Sequence, residues 1–200
     1  EEESFGYTEA LDSRYKLIHL QTHEVAKLPH MNDIIGPITN PLDPSIHTRR
    51  IVGVNHLIPV SVVAQAYHSL NLKGITMLKH GLFVRGFADK DSYRGMDEVS
   101  ICPGGTQVAE LIDGEIREYT LTAEDFGIKP VDVSLISPPS NMSKGEFSLA
   151  ILKREVSGAP LDMVFANAAL LFYLADYSHD LKVCFQKAKE VYESGLPYEK

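Results

Sequence analysis

Arg50-Ile51-Val52-Gly53-Val54, then Pro59-Val60-Ser61-Val62-Val63-Ala64-Gln65-Ala66-Tyr67-His68-Ser69-Leu70, then Gly74-Ile75-Thr76-Met77-Leu78, is the stretch on which the architecture turns. The first piece is a short apolar run of strand length. Pro59 stands where a helix can open, because its missing N–H is unneeded in the first turn and its φ is already helical. Val60, Val63, Ala64, Tyr67 and Leu70 recur at helical spacing, which predicts an amphipathic helix over 59–70. Gly74 resets the chain, and Ile75–Leu78 reads as a second strand. Strand, helix and strand in so short a span make a βαβ unit, with parallel pairing and a right-handed crossover.

Downstream, residues 80–96 are rich in Gly, Arg, Lys and Asp and read as a long loop, of a length that is usually functional or mobile. Strand-like pieces follow at 98–101, 107–111 and 115–121, the last two joined by Asp113-Gly114, a strong hairpin signal. Thr122 with Asp125 forms a capping-box pattern for one helical turn closed by Gly127. Ser143 with Glu146 repeats that pattern for a helix reaching about Ser157. Pro160 opens the next helix, with Val164, Phe165, Ala168, Leu171, Phe172 and Ala175 as one stripe and Met163, Leu170 and Leu174 on its other faces. That helix is expected to be buried nearly all round. Leu181, Cys184, Phe185, Ala188, Val191 and Tyr192 mark a last helix capped by Gly195. Residues 1–33 read as an irregular N-terminal segment, and the punctuated run Ile34 to Pro44 as a loop opening an α/β domain over 34–200. The expected fold is α/β: a largely parallel sheet, an antiparallel hairpin addition and C-terminal helices.

Composition narrows the function classes. The 200 residues carry 19 basic and 27 acidic side chains, a formal charge of −8 that disfavours tight binding to a nucleic-acid backbone. No run approaches the length of a membrane span. The two cysteines, Cys102 and Cys184, fit neither a metal spacing nor a disulfide framework, so a reducing, cytoplasmic setting is expected. His19 and His23 stand four apart without a third ligand and read as a surface pair rather than a zinc site.

Chemistry concentrates in a few places. Asp97-Glu98 directly precedes a strand-like run, and an exposed acidic corner of this kind can hold Mg²⁺ through one or two carboxylates plus substrate phosphates. In regular strand the two would point to opposite faces, so a shared ion needs an irregular backbone there. The alternative is a solvated acidic surface. Lys79-His80-Gly81 follows a strand and either faces a ligand at its C-terminal edge or simply ends it. Arg85 and Arg94, in the loop, either meet phosphate or stay solvated. Pro103-Gly104-Gly105-Thr106 lies between strands and reads as a turn rather than a phosphate cradle, which needs a helix N-terminus.

Taken in order, Ile35-Gly36-Pro37-Ile38-Thr39-Asn40-Pro41, Gly95-Met96-Asp97-Glu98-Val99-Ser100, Thr106-Gln107-Val108-Ala109-Glu110-Leu111 and Asn167-Ala168-Ala169 resemble motifs of anthranilate phosphoribosyltransferase and its family 3 glycosyltransferase relatives. The resemblance covers about 34–195 and corresponds to the C-terminal part of that family, of nucleoside phosphorylase/phosphoribosyltransferase-like fold. It implies that Asp97 and Glu98 hold Mg²⁺ against the diphosphate of phosphoribosyl pyrophosphate, and that ribose 5-phosphate is transferred to an acceptor. The family's Gly-Thr-Gly-Gly-Asp phosphate loop would lie N-terminal to everything present here. An N-terminal half or partner chain is therefore expected, in a homo- or hetero-oligomer, with the isolated 200-residue chain inactive alone. Pro29 stands where the family's carboxylate-gripping arginine falls, so an acceptor other than anthranilate is expected. Lys79, His80 and Arg85 are the candidate substrate-binding residues. The rival reading is a non-catalytic binding or scaffold module that kept the transferase fold.

Overall fold

The computed structural model describes residues 45–91 and 95–195. The expected irregular segment 1–33, the Gly-Pro-Ile-Thr-Asn-Pro loop and Arg94 lie outside the described residues.

The βαβ unit is present: strand β1 (Thr48–Gly53), helix α1 (Val60–Leu72) and strand β2 (Leu78–Phe87), with β1 and β2 parallel, but β2 begins only at Leu78, where the expected strand Ile75–Leu78 ends. A two-residue strand, β3 (Gly95–Met96), pairs antiparallel with the end of β2. Strands β4 (Thr106–Ile112) and β5 (Glu115–Leu121) complete the sheet in the order β1-β2-β4-β5. Asp113 and Gly114, both at positive φ (50° and 85°), make the two-residue turn between β4 and β5. Both central residues left-handed is the turn whose twist matches a hairpin, and Asp-Gly is the pair that tolerates it.

The sheet is mixed, with a smaller parallel share than expected, because the segment from 80 onward is not the loop that its polar letters suggest. His80 to Phe87 continue β2 through the middle of the sheet, and Leu82, Phe83 and Val84 are fully buried. A strand covered on both faces reads as a continuous apolar run rather than an alternation. Here glycines at 81 and 86 and a charge at 85 interrupt the run and hide it. The expected strand at 98–101 forms no ladder; side chains satisfy its amides instead, as described below.

Helix α2 (Lys144–Leu152) starts on its capping box: the Ser143 Oγ accepts from the Glu146 N–H at 3.3 Å, and the Glu146 carboxylate accepts from the Ser143 N–H at 2.9 Å. It ends five residues before Ser157. Arg154 takes φ 63°, and the Glu155 N–H turns back to the Ala150 carbonyl at 2.9 Å. A non-glycine residue at a left-handed stop leaves no mark in the sequence. Helix α3 (Ala159–Leu174) carries Pro160 in its first turn, as expected. Its buried face is Phe165, Ala166, Ala169, Leu170 and Leu174, while Val164 and Leu171 are 40% and 59% exposed. The expected stripe was therefore rotated, and α3 is covered on one face only. With apolar residues nearly all round, periodicity could not orient it. Helix α4 (Leu181–Ser194) buries Cys184, Phe185 and Ala188 as its spacing predicts, opens on the Asp180 carboxylate and closes at Gly195.

Helices thus cover both faces. On one side Val60, Val63, Ala64 and Tyr67 of α1 pack on Val52, Phe83, Ala109 and Leu111. On the other, α3 and α4 pack on Leu82, Val84 and Val108. The switch of sides between Leu82, Phe83 and Val84 is the strand period of two. Among the described residues no helix is long and apolar enough to cross a membrane.

Candidate functional site

The parallel strands β1 and β2 deliver their carboxyl ends at Gly53 and at Gly86-Phe87, and the segment 95–100 crosses directly over both. Three glycines permit this approach. A Cβ on Gly53 would sit 1.9 Å from the Asp97 carbonyl oxygen, and one on Gly86 would lie 2.5 Å from the Glu98 carbonyl oxygen. On Gly95 it would meet the His56 Cβ at 2.2 Å. At Gly53 and Gly86 no side chain fits without moving the Asp-Glu backbone, and at Gly95 none fits without moving His56, since such separations are far inside van der Waals contact.

Immediately after the pair, side chains replace a ladder. The Val99 N–H donates to Asn167 Oδ1 at 3.0 Å, and Asn167 Nδ2 donates to the Val99 carbonyl at 3.2 Å. The Ser100 N–H donates to Thr106 Oγ1 at 2.8 Å, and Ser100 Oγ donates to the Phe87 carbonyl at 2.7 Å. The Cys102 N–H donates to Ser100 Oγ at 3.1 Å. Val99, Ser100 and Thr106 are fully buried, so these bonds form away from water, where leaving a group unpaired is costly. The segment is anchored at once to β2, β4 and α3.

Asp97 and Glu98 themselves are exposed, and their backbone bends rather than continuing as strand. The bend removes the alternation that would send adjacent side chains to opposite faces. Burial of part of the Glu98 side chain, reinforced by the neighbouring Asp97 charge, pushes its carboxyl above the usual range, against an opposing pull from the Lys144 ammonium. Two like charges held on a bend, one of them partly desolvated, form a site that gains from an added cation. Among the described residues no group of three or more His, Cys, Asp or Glu side chains is placed to hold a metal. The donor set fits an ion that takes one or two carboxylates and completes its shell with water and phosphate oxygens, as Mg²⁺ does.

Arg85 stands beside this edge. Its Nη1 donates to the His56 and Ile58 carbonyls, each at 2.9 Å, and its Nη2 donates to Gln107 Oε1. Burial lowers its pKa, and Nε is enclosed without a partner. The guanidinium therefore braces the turn after β1. Lys79 and His80 lie elsewhere. They open β2 instead of following a strand's end, which puts them at the edge of the sheet opposite Asp97-Glu98. Lys79 is exposed, whereas His80 is buried with Nε2 2.6 Å from Glu110 Oε1. The same carboxylate accepts from Tyr173 Oη at 2.8 Å and Tyr119 Oη at 3.2 Å.

The structure thus sets Arg85 against the turn after β1 and leaves Lys79 and His80 at the far edge. Sequence reasoning did not assign roles to Gly53, Gly86, Ser100, Thr106, Asn167 or Lys144. The signal for Ser100, Thr106 and Asn167 was present, since all three lie inside motifs quoted above. Their pairing was not visible, because Val99 and Asn167 stand 68 residues apart.

Comparison with known proteins adds an independent line. Residues 16–198 match the family model described as the glycosyl transferase family, a/b domain. The anthranilate phosphoribosyltransferase of Nitrosospira multiformis is 33% identical over 168 residues, covering 84% of this chain and 44% of that protein. The Haloarcula marismortui enzyme of the same name is 32% identical, with 84% and 46% covered. The chain spans a little under half the length of these relatives. Among solved structures, anthranilate phosphoribosyltransferase from Thermus thermophilus superposes with a TM-score of 0.66 at 24% identity, over 92% of this chain and 49% of that one. The Saccharomyces cerevisiae enzyme, in complex with PRPP and Mg, gives 0.68 at 19% identity, over 92% and 48%. These superpositions speak for the fold.

Proposed function

Because this chain belongs to the glycosyl transferase family through its α/β domain, we propose that it forms the C-terminal part of a phosphoribosyltransferase-type enzyme. The transfer would move ribose 5-phosphate from phosphoribosyl pyrophosphate to an acceptor other than anthranilate. The observation that carries the reading is the placement of Asp97-Glu98. The pair lies across the carboxyl ends of the parallel strands β1 and β2, where open α/β sheets bind ligands, on glycines that admit nothing larger.

Asp97 and Glu98 would hold Mg²⁺, and the ion would neutralise and orient the leaving diphosphate. The chain's own contribution is placement. Ser100, Thr106 and Asn167 keep the acidic bend still, and Arg85 fixes the turn beside it. Positioning of this kind suffices where the reaction is displacement at an activated anomeric carbon. The phosphate loop would come from an N-terminal half or partner chain in a homo- or hetero-oligomer, so the 200 residues are inactive alone on this reading. The exposed pair and the half-length match to its relatives support that division of labour.

The experiment is removal of both carboxylates. Asp97→Ala with Glu98→Ala, in the protein completed by its N-terminal half, should abolish Mg²⁺-dependent binding of phosphoribosyl pyrophosphate and all turnover. Both side chains are exposed, so the circular dichroism spectrum and Tm should stay near those of the parent. Undiminished turnover would overturn the metal assignment. Donor binding without turnover for any amine acceptor would favour the non-catalytic module.

A further inference from the structure

We propose that Asn167 is a positioning residue for the cation site: through Val99 it sets the geometry of Asp97-Glu98 and hence the affinity for the divalent ion. The inference rests on the metal reading above and assigns a residue that neither the family match nor the relatives' names address.

Asn167 lies in the middle of α3, a place where its residue type is unhelpful to the helix. Its amide makes three bonds: it accepts from the Val99 N–H at 3.0 Å, and donates to the Val99 carbonyl at 3.2 Å and the Met163 carbonyl at 2.9 Å. The first two close a ring on one peptide residue, which fixes that residue's orientation as well as its distance. Val99 directly follows Glu98 and is fully buried. Rotation of the Glu98–Val99 peptide, which would swing the carboxylate, is therefore opposed by the bond to its N–H, while the bond to the Val99 carbonyl holds the next peptide, Val99–Ser100. The Met163 bond in turn orients the amide so that oxygen and nitrogen cannot exchange roles.

A purely structural role would be met at the other end of the same helix. There Tyr173 Oη donates to the buried Glu110 carboxylate at 2.8 Å, far from the acidic bend. Tyr173→Phe loosens α3 from the sheet without touching Val99, and so serves as the control.

The test is Mn²⁺ titration of the full chain by electron paramagnetic resonance, with hydrogen exchange of the Val99 amide followed by NMR. The parent should protect the Val99 amide and bind Mn²⁺ at a site that Asp97→Ala with Glu98→Ala removes. Asn167→Ala should release that amide and weaken Mn²⁺ by at least tenfold, the usual cost of losing a group that orients a metal ligand. Tyr173→Phe should do neither. Asn167→Leu, of closer volume and equally without the bonds, takes its place should the alanine variant fail to fold. An unprotected Val99 amide in the parent overturns the inference without any variant. Parent-like Mn²⁺ affinity in the Asn167 variants, or an equal loss in Tyr173→Phe, overturns it while leaving the metal reading standing. If the double carboxylate variant binds Mn²⁺ as the parent does, the metal reading falls and this inference falls with it.

Discussion

The behaviour of the acidic bend is decided by residues that carry no charge. Gly53 is the sharpest case, because an added methyl would stand 1.9 Å from the Asp97 carbonyl oxygen. Gly53→Ala is expected to displace the bend and to cost about 2 kcal/mol or more, an overpacking penalty. Equilibrium urea unfolding measures the cost, and Mn²⁺ titration shows the matching loss of cation affinity. Thr106 makes a second prediction, since its Oγ1 is the acceptor for the buried Ser100 N–H. Thr106→Val keeps the shape and strands that donor, at about 1–3 kcal/mol in unfolding free energy. Asp97-Glu98 could be singled out from the letters, and the resemblance gave the pair a role. The pairing of Ser100 with Thr106 could not, because the five intervening residues must first fold into a turn before the two groups meet.

At the scale of elements, β2 shows most clearly what a linear reading misses. Its glycines and its arginine look like loop punctuation, yet Gly86 is where the Asp-Glu backbone passes and Arg85 is where the turn after β1 is held. Features needed by the site thus disguised the strand that carries it. The hairpin, both capping boxes and α4 were legible because local chemistry settles each of them. Ser143→Ala should therefore cost α2 about 1 kcal/mol, read from denaturant midpoints, as loss of a helix cap does. Between elements, Glu110 joins β4 to β2, β5 and α3 through His80, Tyr119 and Tyr173. Burial raises the Glu110 pKa, but hydrogen bonds from His80, Tyr173 and Tyr119 outweigh it and leave the carboxyl below its ordinary value. Burial and the Glu110 charge push the Tyr173 phenol up to about 12, so it stays a donor throughout the neutral range. A depressed carboxyl pKa contributes stability that is complete above the unfolded value and lost as the pH falls through it toward the folded value. Unfolding free energy should accordingly drop on acidification below about pH 4.5. Glu110→Gln should flatten that part of the profile. A variant whose acid limb matches the parent's would remove Glu110 from the account.

For the whole molecule, the α/β class, the parallel crossover and the helices of the C-terminal third followed from spacing alone. Sheet order did not, nor did the covered face of α3, since both are settled by contacts between distant segments. The function turns on the same distinction. On the proposed reading, the pair of carboxylates at the carboxyl ends of parallel strands is one side of a donor site, and the chain spans a little under half of its relatives. The most direct measurement is calorimetric titration of phosphoribosyl pyrophosphate with Mg²⁺ into this chain, with and without the N-terminal polypeptide that the proposal requires. The account predicts binding that requires both Mg²⁺ and the completing half and disappears in Asp97→Ala with Glu98→Ala. Binding undiminished in that variant, or none at all once the half is supplied, would contradict it.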